Sequence, residues 1–164
     1  KESSEPPIYP LASEGSRRAL SFEVLPNDRP HRHTEMEFSV SASDGLACFL
    51  EVRQLLQKDF PDVGWPIEYR LLREDLIWMS NAFERETVTI SVHQDVRLDE
   101  SDYYAACERI FRSFGGRPHW GKVNYFDGQD FERAYPKWAD WWAARDRLDP
   151  GGVFLNEYLR SIRP

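Results

Sequence analysis

Apolar and polar residues alternate strictly in three segments of the chain, and this two-residue period is typical of half-buried β-strands. The segments are TEMEFSV at 34–40, PIEYRLLR at 66–73 and ETVTISVH at 86–93. One face of each segment is apolar enough to meet a core, so we predict three strands. Their apolar faces consist of Met36, Phe38, Val40, Ile67, Tyr69, Leu71, Val88, Ile90 and Val92.

Two further segments place apolar residues at the three- and four-residue intervals of an amphipathic helix. SDGLACFLEVRQLLQ predicts a helix over about 44–58, for which Ser43 is available as the N-cap. LDESDYYAACERIFRSFGG predicts a second helix, which Asp99 can cap and which Gly115 or Gly116 ends in a left-handed conformation.

The elements follow the order strand, helix, strand, strand, helix, and we predict a last strand over 119–123. This is the split βαβ order of a ferredoxin-like fold, so the predicted fold class is α+β, with an antiparallel sheet and helices on one face. A Trp-rich segment with helical periodicity follows, interrupted at Pro136 and at DPGG. We therefore predict an N-terminal arm or linker at 1–28, an α+β domain at 29–123 and a helical C-terminal tail at 124–164.

The composition is that of a folded protein and excludes several classes of partner. Of the 164 residues, 41% are hydrophobic and 14% aromatic, which is too apolar for a disordered chain. The net charge of −7, without a stripe of Lys or Arg, argues against binding to nucleic acid. No apolar run reaches the length of a membrane span. Cys48 and Cys107 lack the spacing of a zinc or redox site, so we expect two buried thiols in a cytoplasmic protein.

The other face of the predicted sheet is polar, with Glu35, Glu37, Glu68, Arg70, Thr87, Thr89, Ser91 and His93. Glu68 and Arg70 stand two residues apart on this face, so a carboxylate and a guanidinium lie within reach of one ligand. An antiparallel hairpin centred near residue 80 would bring His93 close to Glu68. A base, a cation and an imidazole on one patch are what proton abstraction from an alcohol requires. Antiparallel sheets also commonly solvate one polar face, so a purely structural interpretation stays open.

The sequence HRHTE suggests a metal site, because His31, His33 and Glu35 share the same strand parity. Imidazole and carboxylate groups together suit zinc or iron. The spacing supplies no third histidine, and flexible H-x-H pairs near proline are common. We therefore predict no metal site from the sequence.

Four motifs occur in an order and at intervals that resemble one enzyme family. They are EMEFSV at 35–40, IEYR followed by DLIWMS at 67–80, HWGK at 119–122 and RDRLDPGGVFLNEYL at 145–159. Together they resemble the C-terminal part of FAD-dependent sugar oxidases, namely the aldonolactone and alditol oxidases of the vanillyl-alcohol oxidase superfamily. The resemblance extends from about residue 20 to the end of the sequence.

The resemblance implies the chemistry and the architecture of the enzyme. In this family FAD is held mainly by an N-terminal domain, and the C-terminal substrate domain lays its sheet over the isoalloxazine ring. The present sequence has no Gly-rich phosphate loop and resembles only the substrate domain. The resemblance therefore implies FAD as cofactor, a sugar-type small molecule as substrate and an FAD-binding polypeptide as partner. That partner is either a separate subunit or the N-terminal half of a cleaved precursor.

Position by position, the resemblance implies roles for individual residues. Hydride passes from the substrate carbon to flavin N5, while Glu68 and Lys122 hold the reacting hydroxyl and assist its deprotonation. Arg70 stabilises negative charge on the reduced flavin or on the developing alkoxide. The substrate contacts fall on Glu37, His93 and His119, and the cofactor contacts fall on Arg70, Trp120 and Asn156.

One departure from the family pattern affects the substrate. Two residues after His93, alditol oxidases have threonine where this chain has Asp95, which places an alditol substrate in doubt. A second function would also explain the polar face. It is that of a stand-alone ferredoxin-like module that binds a small ligand or a protein without redox activity.

The aromatic residues of the C-terminal part predict a large interface. Trp120, Trp138, Trp141, Trp142 and the VFLNEYL segment exceed what a small sheet and two helices easily cover. We therefore expect the tail to pack on the partner or FAD domain. The alternative is that these tryptophans pack the tail onto its own sheet.

Overall fold

One four-stranded antiparallel sheet organises the computed structural model, which describes residues 18–24 and 32–164. The elements in chain order are α1 (Ser21–Val24), β1 (His33–Ser41), α2 (Gly45–Asp59), β2 (Glu68–Leu72), β3 (Thr87–Asp95), α3 (Ser101–Ser113), β4 (Arg117–Pro118), α4 (Gly128–Ala134), α5 (Trp138–Leu148) and α6 (Glu157–Ser161). The strands lie in the order β2-β3-β1-β4, and every neighbouring pair is antiparallel. This order confirms the predicted ferredoxin-like α+β fold.

The two central strands pair along their whole length. β1 and β3 run in register from His33 opposite Asp95 to Ser41 opposite Thr87. The apolar face of this pair is buried against α2 and α3, as the alternation predicts, and it joins Val52 of α2 in one core. Full burial of such a side chain contributes about 1.5–3 kcal/mol. The fully buried apolar residues of these strands are Met36, Phe38, Val40, Val88, Ile90 and Val92.

Both cysteines lie in this core as free thiols, which confirms that the two side chains are buried and unpaired with each other. Cys48 belongs to α2 and Cys107 to α3, and neither side chain has exposed surface. Burial raises the pKa of both thiols to about 12, because the thiolate would lose its hydration. The two groups therefore behave as small apolar side chains.

The ends of the two main helices match the sequence only in part. Gly115 adopts a left-handed φ of 61°, and the N–H of Gly116 donates to the carbonyl of Phe111 at 2.9 Å. This is the predicted glycine stop of α3 in the form of a Schellman motif. At the start of α2 the prediction is wrong, because the Ser43 hydroxyl contacts that of Ser41 and Asp44 occupies the N-cap position.

The last strand is shorter and earlier than predicted. The prediction of a strand over 119–123 is wrong, because β4 comprises only Arg117–Pro118. The chain then turns, and the N–H of Lys122 donates to the carbonyl of His119 at 3.1 Å. Gly121 lies within this turn, where the N–H of Gly121 also donates to Nδ1 of His119 at 3.0 Å.

The C-terminal tail packs on the domain's own core. Trp138 and Trp142 are buried, and Trp120 lies among Phe131, Trp138 and other tail aromatics with ring centroids 5.1–5.9 Å apart. The interpretation that these tryptophans need a second chain to cover them is therefore wrong. Phe154 in the VFLNEYL segment is exposed, so a contact between this part of the tail and a partner stays a prediction.

The predicted arm at 1–28 lies mostly outside the described residues, and within it Ser21–Val24 forms a short helix. Across the ranges 18–24 and 32–164, none of the helices has the combined length and apolar character that crossing a membrane requires.

Replacing Trp138 by Ala should destabilise the whole domain by about 3–5 kcal/mol, because the change leaves a cavity between the tail and the core. Urea unfolding followed by circular dichroism measures this loss. The matched control is Trp78→Ala, since the Trp78 side chain is already 42% exposed and its loss should cost much less in the isolated chain. Equal unfolding midpoints for wild type and Trp138→Ala would show that the tail is not part of the folding unit.

Candidate active site

Six ionisable side chains on the polar face of the sheet form a continuous series of ion pairs. We call them the charged network. Three strands and the turn after β4 contribute to it, so residues distant in sequence meet on one surface. In spatial order the network consists of Glu68, Arg70, Glu37, Lys122, Glu35 and His93.

Glu37 lies at the centre of the charged network, and its side chain is only 5% exposed. Its Oε2 accepts hydrogen bonds from Arg70 Nη2 at 2.5 Å, from Ser91 Oγ at 2.7 Å and from Lys122 Nζ. Burial raises the pKa of Glu37, but the hydrogen bonds from Lys122 and Ser91 and the nearby positive charges outweigh it. The pKa therefore lies below the ordinary value, and the carboxylate is ionised.

Lys122 reaches this centre because the HWGK turn is held against β1 at both ends. The N–H of His119 donates to the carbonyl of Glu37, and the N–H of Val123 donates to that of Glu35, each at 2.9 Å. The Lys122 ammonium then contacts both side-chain carboxylates, with Nζ 2.6 Å from Oε1 of Glu35. An ammonium group has three N–H donors, and within residues 18–24 and 32–164 two of them have these carboxylate partners, so the third is available for a ligand.

Glu35 connects Lys122 to His93 at the inner end of the network. His93 Nε2 lies 3.4 Å from Oε1 of Glu35, and His93 Nδ1 lies 3.2 Å from the carbonyl oxygen of Pro66. Burial raises the pKa of Glu35, but hydrogen bonds from His93 and Lys122 more than offset it and hold the pKa well below its usual range. The sequence placed Glu35 on the polar face without giving it a role in the network.

Glu68 and Arg70 form the open end of the network. Arg70 Nε lies 3.1 Å from Oε1 of Glu68, and the two side chains are 47% and 48% exposed. The hairpin is centred near residue 80 as predicted, with Ser91 opposite Glu68, and His93, two residues further along β3, lies opposite Glu35. A shift of two residues keeps His93 on the same face, so the sequence identified the face correctly and missed the pair.

The far end of the polar face is closed by the segment that joins β2 to β3. Asn81 Nδ2 donates to Ser39 Oγ at 3.2 Å, and Ser39 Oγ lies 3.1 Å from Thr89 Oγ1. The Tyr135 hydroxyl of the tail donates to Asn81 Oδ1 at 2.8 Å. These neutral hydrogen bonds cover the Ser39 end, so a ligand would approach at the charged network.

Three residues with roles implied by the resemblance make their contacts elsewhere. His119 accepts from the Gly121 N–H within its own turn, and Trp120 packs among the tail aromatics. Asn156 caps α6 by accepting from the N–H of Leu159 at 2.8 Å. Their contacts with substrate or cofactor stay predictions, whereas the structure brings together Glu37, Glu68, Arg70, His93 and Lys122.

Comparison with known proteins identifies the family to which this chain is similar. The family model described as D-arabinono-1,4-lactone oxidase matches residues 9–162. The L-gulono-1,4-lactone dehydrogenase of Mycobacterium tuberculosis is 36% identical over 152 residues, which cover 93% of this chain and 36% of that protein. The L-gulonolactone oxidase of Mus musculus is 30% identical over 148 residues, 87% of this chain and 34% of the relative.

A more distant relative is the alditol oxidase of a Streptomyces species, which is 32% identical over 98 residues, 58% of this chain and 23% of that protein. The chain thus spans about a third of the length of the gulonolactone enzymes that it matches.

The free energy of unfolding should decrease as the pH falls below about 4.5, the ordinary pKa of glutamate. The folded-state pKa values of Glu35 and Glu37 are depressed, so above that pH both carboxylates contribute their full stabilisation to the folded state. At lower pH the unfolded chain takes up protons before the folded chain does, and this stabilisation is lost. Glu37→Gln should therefore show a shallower pH dependence. It should also lose about 3–5 kcal/mol at neutral pH, because Lys122 loses a buried partner.

Urea unfolding at several pH values measures both effects. Glu132→Gln is the matched control, since Glu132 is exposed on α4 and its change should leave the pH dependence as in the wild type. If Glu37→Gln and Glu132→Gln gave the same pH profile, the central place of Glu37 in the network would be refuted.

Proposed function

Because the chain belongs to the D-arabinono-1,4-lactone oxidase family, we propose that it is the substrate-binding part of an FAD-dependent oxidoreductase. The substrate would be a sugar lactone or a related sugar, oxidised at a hydroxyl group. The charged network is the observation that carries this proposal, since it presents cations and a half-exposed carboxylate on an open sheet face. The relatives named L-gulono-1,4-lactone dehydrogenase and L-gulonolactone oxidase support the substrate class.

The hydrogen-bond donors and acceptors of the network suit the binding of a hydroxyl group that must lose its proton. The free N–H of Lys122 would donate to the substrate oxygen and stabilise the negative charge that grows there. Glu35 and Glu37 hold the ammonium in place from the buried side. Glu68 would accept the hydroxyl proton, because its carboxylate is half exposed and lies at the open end.

The exposed side of the network also fits the ring end of FAD. Arg70 contacts Glu37 and Glu68, and its half-exposed guanidinium keeps further N–H donors for the negative charge that the flavin ring would take up on reduction. The sequence carries no Gly-rich loop for the diphosphate, so the nucleotide end of FAD would be bound by polypeptide outside these 164 residues. When bound, FAD would supply the acceptor for the hydride that leaves the substrate carbon.

An exposed apolar surface beside β2 is where that polypeptide would dock. We call it the β2-edge patch, and its side chains are 42–77% exposed. A monomeric protein rarely exposes such a cluster without a partner. The chain spans only about a third of the length of its relatives, so a large part of such an enzyme is available to cover the patch. The patch consists of Leu71, Leu72, Leu76, Ile77 and Trp78.

The native complex, purified through a tag on this chain, should contain a flavin whose absorption band bleaches when L-gulono-1,4-lactone or D-arabinono-1,4-lactone is added. Lys122→Met should slow this bleaching about 10²–10³-fold, because the substrate oxygen loses a preorganised donor. Lys137→Met is the control, since Lys137 pairs with Asp140 on the tail. A chain that stays colourless and monomeric would refute the proposal and favour the stand-alone binding module.

Charged substitutions in the β2-edge patch should weaken the association with the flavin-containing polypeptide. Leu76→Asp and Ile77→Asp place a carboxylate on a surface that the partner would cover, so the flavin recovered with the tagged chain should decrease at least tenfold. Leu46→Asp is the matched control, because Leu46 is also exposed but lies on α2, outside the β2-edge patch. Equal recovery from all three variants would place the interface elsewhere.

A further inference from the structure

Three metal-ligating side chains meet at the end of β1 and β3. His33, Glu35 and His93 each present one ligand atom, and these atoms all lie within 4.8 Å of one another. Around a tetrahedral Zn²⁺ with bonds of about 2.0–2.1 Å, ligand atoms lie about 3.4 Å apart. The separation of 3.4 Å between His93 Nε2 and Glu35 Oε1 already has this length.

The hydrogen bonds of His93 define which of its nitrogens can bind a cation. The carbonyl oxygen of Pro66 can only accept, so the Nδ1 that faces it carries the hydrogen and donates. Nε2 faces the Glu35 carboxylate at 3.4 Å, so it is the nitrogen that a metal ion shared with Glu35 would bind. In metal-binding histidines, the ring nitrogen that does not bind the metal usually donates a hydrogen bond to a carboxylate, a backbone carbonyl or water.

His33 adds the third ligand from the same strand as Glu35. The two residues are two positions apart, so their side chains share a face of β1. The His33 ring centroid lies 5.4 Å from that of His93, and Trp65 lies within 5.8 Å of both rings. The spacing of the HRHTE motif supplied no third histidine, and the pairing of β1 with β3 brings His93 opposite Glu35.

We propose that His33, Glu35 and His93 bind a divalent transition-metal ion of the zinc class. Two imidazoles and one carboxylate favour Zn²⁺, Ni²⁺ or Cu²⁺ over Mg²⁺ or Ca²⁺, which take oxygen ligands. Three protein ligands leave a fourth position for water or for a ligand. Ion binding at this site needs neither FAD nor a sugar, although Glu35 and His93 also belong to the charged network.

Lys122 competes with a metal ion for Glu35. Its ammonium lies 2.6 Å from Oε1, the same oxygen that faces His93, so a bound ion would displace it toward Glu37. The positive charge of Lys122 also repels the ion at short range. Removing this ammonium should therefore strengthen metal binding, whereas removing a ligand should weaken it.

Isothermal titration of the purified chain with Zn²⁺ tests the site. We expect saturable binding of one ion, at least about tenfold weaker in His33→Ala and at least about threefold tighter in Lys122→Met. His119→Ala is the matched control, because it removes an imidazole outside the cluster and should leave the affinity unchanged. Circular dichroism establishes that each variant is folded.

If His33→Ala fails to fold, the unmodified chain provides a second measurement. Cu²⁺ should quench the tryptophan fluorescence, and the quenched fraction should decrease in Trp65→Phe because Trp65 packs against both histidines. Absence of saturable Zn²⁺ binding to the wild type would overturn the proposal. Binding that His33→Ala and His119→Ala reduce equally would also overturn it, since the ion would then be held elsewhere. None of these results depends on flavin or on turnover.

Discussion

The burial of two carboxylates, Glu35 and Glu37, on the polar face of the sheet is the constraint on which the rest of the site depends. An ionised carboxylate taken out of water is strongly unfavourable unless cations and hydrogen bonds replace its hydration. Lys122 and Arg70 provide this compensation, and Ser91 adds a neutral donor. The charged network is therefore the condition for folding this face.

The same requirement explains the form of the HWGK segment. A regular fourth strand would continue beside β1 and send alternate side chains to opposite faces. The turn after Arg117–Pro118 instead lets the chain leave β1 at His119 and rejoin it at Val123. Lys122 consequently lies over Glu35 and Glu37. A short strand followed by a turn thus places one ammonium group between two carboxylates.

Family membership and geometry contribute different parts of the functional proposal. The family and its relatives indicate oxidation of a sugar lactone, while the network identifies the side chains that can hold a hydroxyl. Glu35 is the point where the two proposed sites meet. It supports Lys122 for the oxidation and would be a ligand of the metal ion with His33 and His93. The two proposed sites would therefore share Glu35 and His93 and compete for them.

The local pattern of the chain determined the elements and their faces. The alternation in β1 and β3 and the glycine stop of α3 follow from side-chain periodicity and from backbone conformation at Gly115, which act within a few residues. The strand order also followed, because a ferredoxin-like fold is a common solution for this succession of elements.

Only the tertiary structure decided which residues meet across that sheet. The register of β1 against β3 makes Glu35 the neighbour of His93. A register shifted by two residues would have kept the same face polar and given His93 another neighbour. Trp138 and Trp142 of the tail are buried against the domain's own core. No local sequence pattern distinguishes this packing from an interface with another chain. Contacts between distant segments depend on the summed packing of the whole chain, and periodicity within one segment carries no information about them.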